Sequence, residues 1–165
     1  MRVFHEVEPD SVDIVMERGL VIGASGEKTD RYISMTDTFL NSYRPDALIQ
    51  KNINRETNLY CYLGTGNAII DISSGKHIPV QTFANSRPQA LLQIEVETDK
   101  CYVSDLDLFD QVMEFLKNSD EENAEQVAYT YWSSLQLLQD YDGAIHRPEV
   151  IIPYNVPSSD MLRIA

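Results

Sequence analysis

Segments with two different hydrophobic periods follow one another along this chain without a regular alternation. Residues 2–7 and 90–96 show the short alternating or apolar runs typical of strands, whereas residues 105–117 carry apolar side chains at helical spacing. A doubly wound fold requires strands and helices in strict succession, and this chain does not follow that order. The order of segments therefore predicts the α+β class, with helices flanking a sheet.

The length and composition of the chain fit one folded domain. With 165 residues and an apolar share of 43%, it can bury a core without a metal or a disulfide. No repeat, linker or low-complexity tract divides it, so we predict a single domain over residues 1–165. Cys61 and Cys101 lack metal-ligand spacing, which predicts two small core residues in a reducing compartment.

The charge of the chain disfavours several classes of partner. It has 13 Lys and Arg residues against 26 Asp and Glu residues, which gives a formal charge of −13. Such acidity disfavours broad binding to nucleic-acid backbones and to anionic membranes. There is no apolar signal region and no apolar stretch near the ~20 residues of a membrane span, so we expect a cytoplasmic protein. A local basic patch and the oligomeric state stay open; the patch would comprise Arg31, Arg44, Lys51 and Arg55.

Local signals predict the first elements. Residues 2–7 alternate as a first strand, and Pro9–Ser11 begins a helix that Gly19 ends. A polar loop follows over residues 23–30. Next comes a segment of period two, residues 32–36, which predicts a strand with hydroxyl groups on one face. The side chains on that face are Tyr32, Ser34 and Thr36.

The rest of the chain contains further elements of both kinds. Residues 37–53 look helical, with a break at Pro45. Residues 124–139 form the longest helix candidate, in which Tyr131 and Trp132 are expected to pack in the core. A short buried strand over residues 149–152 and a final strand over residues 161–164 complete the prediction.

Common catalytic signatures are absent from the sequence. Gly75-Lys76 resembles the end of a phosphate-binding loop, but Ile70 stands where the earlier glycine is needed. The three histidines of the chain predict no multi-histidine metal site, and we predict no metal site at all. Asp105, Asp107 and Asp110 are best read as a solvated helix start, although a metal-dependent hydrolase that uses them remains a third alternative.

Three polar segments remain, and their order along the chain is informative. His5 lies on the first strand, the hydroxyl-bearing segment 32–36 follows, and Glu149 begins a late strand after Arg147-Pro148. In order and separation these segments resemble the mono-ADP-ribosyltransferase-like superfamily, whose members cleave or bind NAD. The resemblance covers residues 2–36 and 146–164.

The resemblance implies a fold of split antiparallel or mixed sheets with flanking helices, and NAD as the substrate. It implies that His5 bonds a ribose of NAD and that the neighbouring backbone holds the nicotinamide amide. Glu149 would bond the 2′-hydroxyl of the nicotinamide ribose. Its carboxylate would stabilise the positive charge that develops as the bond to nicotinamide breaks, so Glu149 and His5 are the expected catalytic residues. Ser34 or Thr36 would line the cleft and support these two groups, and Tyr32 or another aromatic ring would stack on the nicotinamide.

Two segments depart from the pattern of the superfamily. Glu6 and Val7 follow His5 where many relatives carry glycine and a hydroxyl residue, so Glu6 either crowds the site or points to the opposite face. Arg147 stands where arginine-modifying relatives carry Glu or Gln, and its expected role is a phosphate contact, with NAD or with a nucleic-acid end. The acceptor of ADP-ribose therefore stays open, protein or nucleic acid.

A function of another class is the alternative. On the same fold, a non-catalytic acidic module would use the charge of −13 to attract a basic protein partner.

Overall fold

The computed structural model describes residues 1–23 and 30–165, and most of the polar loop predicted over residues 23–30 lies outside the described residues. The strands are β1 Arg2–Val7, β2 Leu59–Thr65, β3 Ala68–Ile70, β4 His77–Pro79, β5 Ala90–Ile94, β6 Tyr102–Asp105, β7 Gln136–Leu137, β8 Pro148–Ile152 and β9 Met161–Arg163. The helices are α1 Val12–Arg18, α2 Arg31–Ser42, α3 Asp46–Gln50, α4 Val80–Asn85, α5 Leu106–Lys117 and α6 Glu121–Ser133. Single 3₁₀ turns occur at Pro9–Ser11, Leu138–Asp140 and Ser158–Asp160.

The described strands form one sheet in the order β7-β6-β8-β2-β1-β5-β9, with β3 paired to β2 and β4 paired to β3. Every strand pairing among the described residues is antiparallel. The α+β class is therefore confirmed. Among the described helices, none combines the length and apolar content needed to cross a bilayer.

The two central strands of the sheet diverge part-way along their length. β1 pairs with β2 only up to the rung between Phe4 and Tyr62, whereas β1 continues beside β5 as far as Val7. On the other side, β2 continues beside β8 through Leu59. A fork thus opens beyond the Phe4–Tyr62 rung, with β1 and β5 on one arm and β2 and β8 on the other.

Apolar clusters cover both faces of the sheet. One face carries Val3, Cys61 and Val150, against which α1 packs. On the other face α5 and α6 cover β6 and β8, while α4 covers the part of β1 and β5 near the rung. Cys61 and Cys101 are buried free thiols, so their predicted place in the core is confirmed.

Most of the predicted elements form where local signals place them. The first strand, the helix that ends at Gly19, the break at Pro45, the helix over residues 105–117 and the late strand at Glu149 are all confirmed. Their boundaries are correct to within one or two residues because caps and prolines act locally.

The strand predicted over residues 32–36 is wrong, because this segment belongs to α2. The Asp30 carboxylate accepts hydrogen bonds from the backbone N–H groups of Tyr32 and Ile33, which is an N-cap interaction. An alternation over only five residues is a weaker structural signal than an N-cap followed by a helix of 12 residues. The helix buries one side against the core, comprising Thr36, Asp37 and Leu40.

The predicted helix over residues 124–139 is too long at its C-terminal end. Helix α6 ends at Ser133, and residues 136–137 pair with β6 as a short edge strand. The expectation that Tyr131 and Trp132 pack in the core is confirmed, since both are buried.

Candidate functional site

His5 lies in the fork, at the first position of β1 beyond the last rung with β2. Its Nδ1 is 3.2 Å from the carbonyl oxygen of Tyr60. Because a carbonyl oxygen only accepts, Nδ1 carries the proton and Nε2 is the acceptor nitrogen of the neutral ring. Burial lowers the pKa of His5, and the bond to Tyr60 opposes this effect only in part. The imidazole is therefore an oriented neutral group.

A cavity of about 490 Å³ adjoins the fork. This volume lies in the range of about 300–1,000 Å³ that small-molecule sites occupy. Its walls come from three consecutive residues of β1, from the start of β2, and from α1 with the turn that follows it. The lining includes His5, Glu6, Val7, Leu59, Ser11, Ile14, Arg18 and Gly19.

Glu149 lies beside the rung at which the fork begins. On β8 it is directly opposite Tyr62 of β2 and Ser104 of β6. Its side chain is only 9% exposed, and its Oε1 accepts a hydrogen bond of 2.6 Å from Arg55 Nη1. Among the described residues, no hydrogen bond to Oε2 is formed. Glu149 is therefore a buried, ion-paired carboxylate near the centre of the sheet.

Arg55 joins three distant parts of the chain at this carboxylate. Besides Glu149, its guanidinium bonds the carboxylate of Asp37 on α2 at 2.9 Å and the hydroxyl of Tyr131 on α6 at 3.0 Å. Burial alone would lower the pKa of Arg55, but Tyr131, Glu149, Tyr60 and Asp37 together raise it well above its ordinary value. Arg55 is thus a permanent cation that fixes the orientation of Glu149.

Aromatic rings enclose the guanidinium of Arg55. Its Cζ lies 4.1 Å from the ring centroid of Tyr60 and 4.6 Å from that of Phe109. Such cation–π contacts strengthen as water is excluded. They help to offset the cost of burying charge beside Glu149.

His5 and Glu149 flank the same rung but face opposite sides of the sheet. His5 Nδ1 is 3.6 Å from Cys61 Sγ, and the side chains of β2 alternate between faces. Tyr62, the next residue, therefore shares the opposite face with its cross-strand partner Glu149. The structure thus places the two predicted catalytic residues on strands either side of β2, with their side chains on opposite faces of the sheet.

The three hydroxyl residues predicted to line one cleft face do not share a face on α2. Tyr32 is 40% exposed, and Lys117 Nζ lies 4.8 Å from its ring centroid. Ser34 is exposed to solvent, whereas Thr36 is fully buried and its hydroxyl donates to the backbone oxygen of Tyr32. Of this segment, Thr36 lies nearest to the ion pairs of Arg55, because it precedes Asp37 in the chain.

Arg147 forms ion pairs with two aspartates near the start of α5. Its Nη1 bonds the carboxylates of Asp107, at 3.1 Å, and of Asp110, and its Nε donates to the backbone oxygen of Ile72 at 2.7 Å. Asp105 instead caps α5, which confirms a helix start at these aspartates. Within the described residues, no group of three or more His, Cys, Asp or Glu side chains is placed to hold a metal.

Sequence reasoning did not assign Arg55, Asp37 or Tyr131 to this site. Sequence proximity places Arg55 in the possible basic patch, but in the structure it is 5% exposed and paired with Glu149. No local pattern signals this, because the side chains that hydrogen-bond Arg55 lie 18 to 94 positions away in the chain.

Comparison with protein-family models, with curated proteins and with solved structures found no match to this chain.

Proposed function

We propose that this protein binds NAD at the fork and transfers its ADP-ribose group, with Glu149 as the carboxylate that stabilises the transition state. The observation that carries the proposal is the opening of the sheet beyond the Phe4–Tyr62 rung. The opening leaves His5 and Glu149 beside the same rung, on opposite faces of the sheet, and the proposed ligand enters the fork between them. The resemblance of residues 2–36 and 146–164 to the mono-ADP-ribosyltransferase-like superfamily supports the same conclusion.

The groups around the fork fit the parts of NAD. Beyond Phe4 the edge of β1 that faces β2 forms no ladder with it, so strand-edge backbone groups are available to an amide. The neutral His5 offers Nε2 as an acceptor for a ribose hydroxyl. Ser11 and Arg18 in the cavity wall supply a hydroxyl and a cation for phosphate oxygens.

Glu149 supports transfer through its fixed negative charge. When NAD is bound, breaking the bond to nicotinamide develops positive charge on the ribose. The Arg55 bond to Oε1 holds the carboxylate in one orientation, and Oε2 remains for a ribose hydroxyl. A preorganised charge of this kind stabilises the transition state more than the ground state.

The test is nicotinamide release from NAD by the wild type and by Glu149→Gln, with NAD affinity measured by isothermal titration. We expect Glu149→Gln to bind NAD but to release nicotinamide at least about a hundredfold more slowly than the wild type. Glu17→Gln makes the same chemical change at an exposed position of α1 and is expected to behave as wild type. Equal rates in the Glu149→Gln and wild-type proteins would contradict the proposal, as would absence of NAD binding by the wild type.

Folding must be checked in the same experiment, because Glu149 is ion-paired with Arg55. Thermal unfolding of each variant shows whether the assay temperature lies below its transition. If Glu149→Gln is unfolded at the assay temperature, nicotinamide release is measured again at a temperature where it is folded. Wild-type rates at that temperature would contradict the proposed role of Glu149.

A second candidate, the non-catalytic acidic module, has one observation in its favour. A concave site of about 340 Å³ is lined by three carboxylates, Glu95, Glu97 and Asp160, and by Tyr154. Such a site suits a cationic peptide segment. The test is titration with a lysine-rich peptide. This function is favoured if the wild type binds the peptide in a salt-sensitive manner, the double variant Glu95→Gln/Glu97→Gln does not bind it, and the wild type does not bind NAD.

A further inference from the structure

A second cavity lies at the end of the sheet where β6 begins and β8 ends, and we call it the Lys51 pocket. Its volume of about 360 Å³ is within the range of small-molecule sites, about 300–1,000 Å³. None of its described lining residues borders the cavity beside His5. The described lining comprises Lys51, Asp99, Lys100, Tyr102, Pro153 and Tyr154.

Hydrogen bonds hold the walls of the Lys51 pocket together. Tyr102 is the first residue of β6 and is paired with Ile151 of β8. Asn52 follows Lys51 in the chain, and its side-chain N–H donates to the carbonyl oxygen of Pro153 at 3.2 Å. The loop after α3 is therefore tied to the end of β8, and the fold itself forms the pocket.

The ammonium group of Lys51 takes part in none of the ion pairs among the described residues. Its Nζ donates a hydrogen bond of 3.0 Å to the Tyr102 hydroxyl and lies 5.8 Å from the centroid of that ring. A lysine ammonium carries three N–H donors, and the phenol accepts only one of them. The charge of Lys51 and its other donors are therefore available to an anion in the pocket.

The Tyr102 hydroxyl is a second donor at the same place. Its oxygen accepts from Lys51, and among the described residues its O–H donates to no other group. The tyrosine is 7% exposed, so the core fixes its ring. An ionised carboxylate has two oxygens that only accept. The ammonium and the phenol, 3.0 Å apart, suit the two oxygens of one carboxylate.

The charges in the rest of the lining favour a single negative charge on the ligand. Lys100 forms an ion pair of 2.9 Å with Glu97, but both side chains are 57% exposed. Exposed pairs contribute little to stability, so Lys100 can turn to a bound anion at small cost. Asp99 adds one carboxylate to the lining, which disfavours a ligand with two negative charges.

Tyr154 and Pro153 supply an apolar wall. The Tyr154 hydroxyl accepts a hydrogen bond of 2.7 Å from the backbone N–H of Glu97 and lies 3.5 Å from Cys101 Sγ. Burial raises the pKa of Tyr154, so the phenol is neutral. Because these contacts fix the ring, it offers a rigid surface on which a flat apolar group can pack.

We propose that the Lys51 pocket binds a small aromatic carboxylate. Lys51 and Tyr102 bind its carboxylate group, and Tyr154 and Pro153 contact its ring. This inference goes beyond the proposed function and is independent of NAD binding at the fork.

The test is titration with phenylacetate, followed by the amide chemical shifts of the protein in NMR spectra recorded without NAD. For a ligand of this size we expect a Kd on the order of 1 mM, with the largest shifts at residues 51, 100–102 and 154. Phenylacetamide has the same shape without the charge, and its Kd is expected to be at least about tenfold higher.

Two variants test the carboxylate-binding groups. Lys51→Met keeps the length of the side chain and removes the charge, and Tyr102→Phe removes only the hydroxyl. Each is expected to raise the Kd for phenylacetate about tenfold, the effect of one hydrogen bond to a charged group. Lys76→Met removes an exposed cation outside the described lining and is the matched control, with no expected change.

Three results would overturn the proposal. The first is the absence of saturable shifts at the pocket up to about 10 mM phenylacetate. The second is equal affinity for phenylacetate and phenylacetamide, since the charge would then play no part. The third is an equal Kd for Lys51→Met and Lys76→Met. Thermal unfolding of Tyr102→Phe shows whether it is folded at the titration temperature, and Lys51→Met tests the same site at an exposed position.

Discussion

Arg55 has the most unusual environment of the residues around the fork. A guanidinium that is 5% exposed lies among two carboxylates, a phenol and two aromatic rings. Desolvating these charges is costly, and the cost is recovered only while the partners remain together. Loss of one member should therefore affect stability far more than loss of a surface charge.

The variant Arg55→Met removes the cation and leaves Asp37 and Glu149 buried without it. We expect the free energy of unfolding in urea to fall by about 3–5 kcal/mol, the range for breaking a buried ion pair. Lys100→Met is the control, because Lys100 and its partner Glu97 are both 57% exposed and no measurable change is expected. Similar unfolding midpoints for the two variants would show that the ion pairs of Arg55 with Asp37 and Glu149 contribute little to the free energy of unfolding.

The neutral state of His5 predicts a pH dependence of stability. Because burial lowers the pKa of His5 in the folded chain, the unfolded chain binds a proton more readily as pH falls through about 6.5. This residue therefore destabilises the fold towards acid pH. The stability difference between wild type and His5→Gln, from urea unfolding at about pH 7.5 and about pH 5.5, should shift against the wild type at the lower pH. A difference independent of pH would mean that His5 takes up a proton in the folded state as readily as in the unfolded one.

At the scale of elements, single residues at the ends decide where segments stop and how they meet. Asp30 caps α2 and overrides the period of two that follows it. Gly19 ends α1 with a φ of 89° and brings the chain against the loop after β8. There the backbones of Leu20 and Val156 exchange two hydrogen bonds, of 2.8 and 2.9 Å. The end of α1 is thereby joined to the last part of the chain.

Substitution of Gly19 should break this junction. A Cβ at Gly19 would lie 2.4 Å from the backbone oxygen of Val156, whereas one at Gly143, with a φ of 82°, meets nothing within 4 Å. We expect Gly143→Ala to cost about 1 kcal/mol for its backbone conformation alone. Gly19→Ala should cost on the order of 2 kcal/mol more, since the overlap with backbone must be relieved as well. Urea unfolding of both variants measures the difference, and equal losses would show that the close approach at Gly19 is relieved freely.

At the scale of the whole molecule, the net charge of −13 opposes compaction. The ion pairs that matter for the fork are buried, and salt screens these much less than it screens surface charges. Raising NaCl from about 0.02 M to about 0.5 M should therefore increase the free energy of unfolding. A decrease with salt in urea unfolding at constant pH would indicate that attractive surface pairs outweigh the net repulsion.

Local sequence signals determined much of the element structure of this protein. The first and last strands, the helix over residues 105–117 and the breaks at Gly19 and Pro45 follow from caps, prolines and hydrophobic period, which act over a few residues. The same signals identified His5 and Glu149 as polar residues on strands. They misassigned residues 32–36, where the period of two was short and the Asp30 cap decided the structure.

Only the tertiary structure decided what surrounds these residues. The position where β1 leaves β2 depends on each strand following a different neighbour, β5 or β8, and those strands begin at Ala90 and Pro148, far along the chain from β1. Glu149 is paired with Arg55, which in turn bonds residues 37 and 131, and the partners of Glu6 come from residues 62 and 87. Such contacts have no local pattern, because they arise when long chain segments close and bury charges that each segment alone would leave in water. The sequence thus determined which groups stand on which strands, and the fold decided which of them meet at the fork.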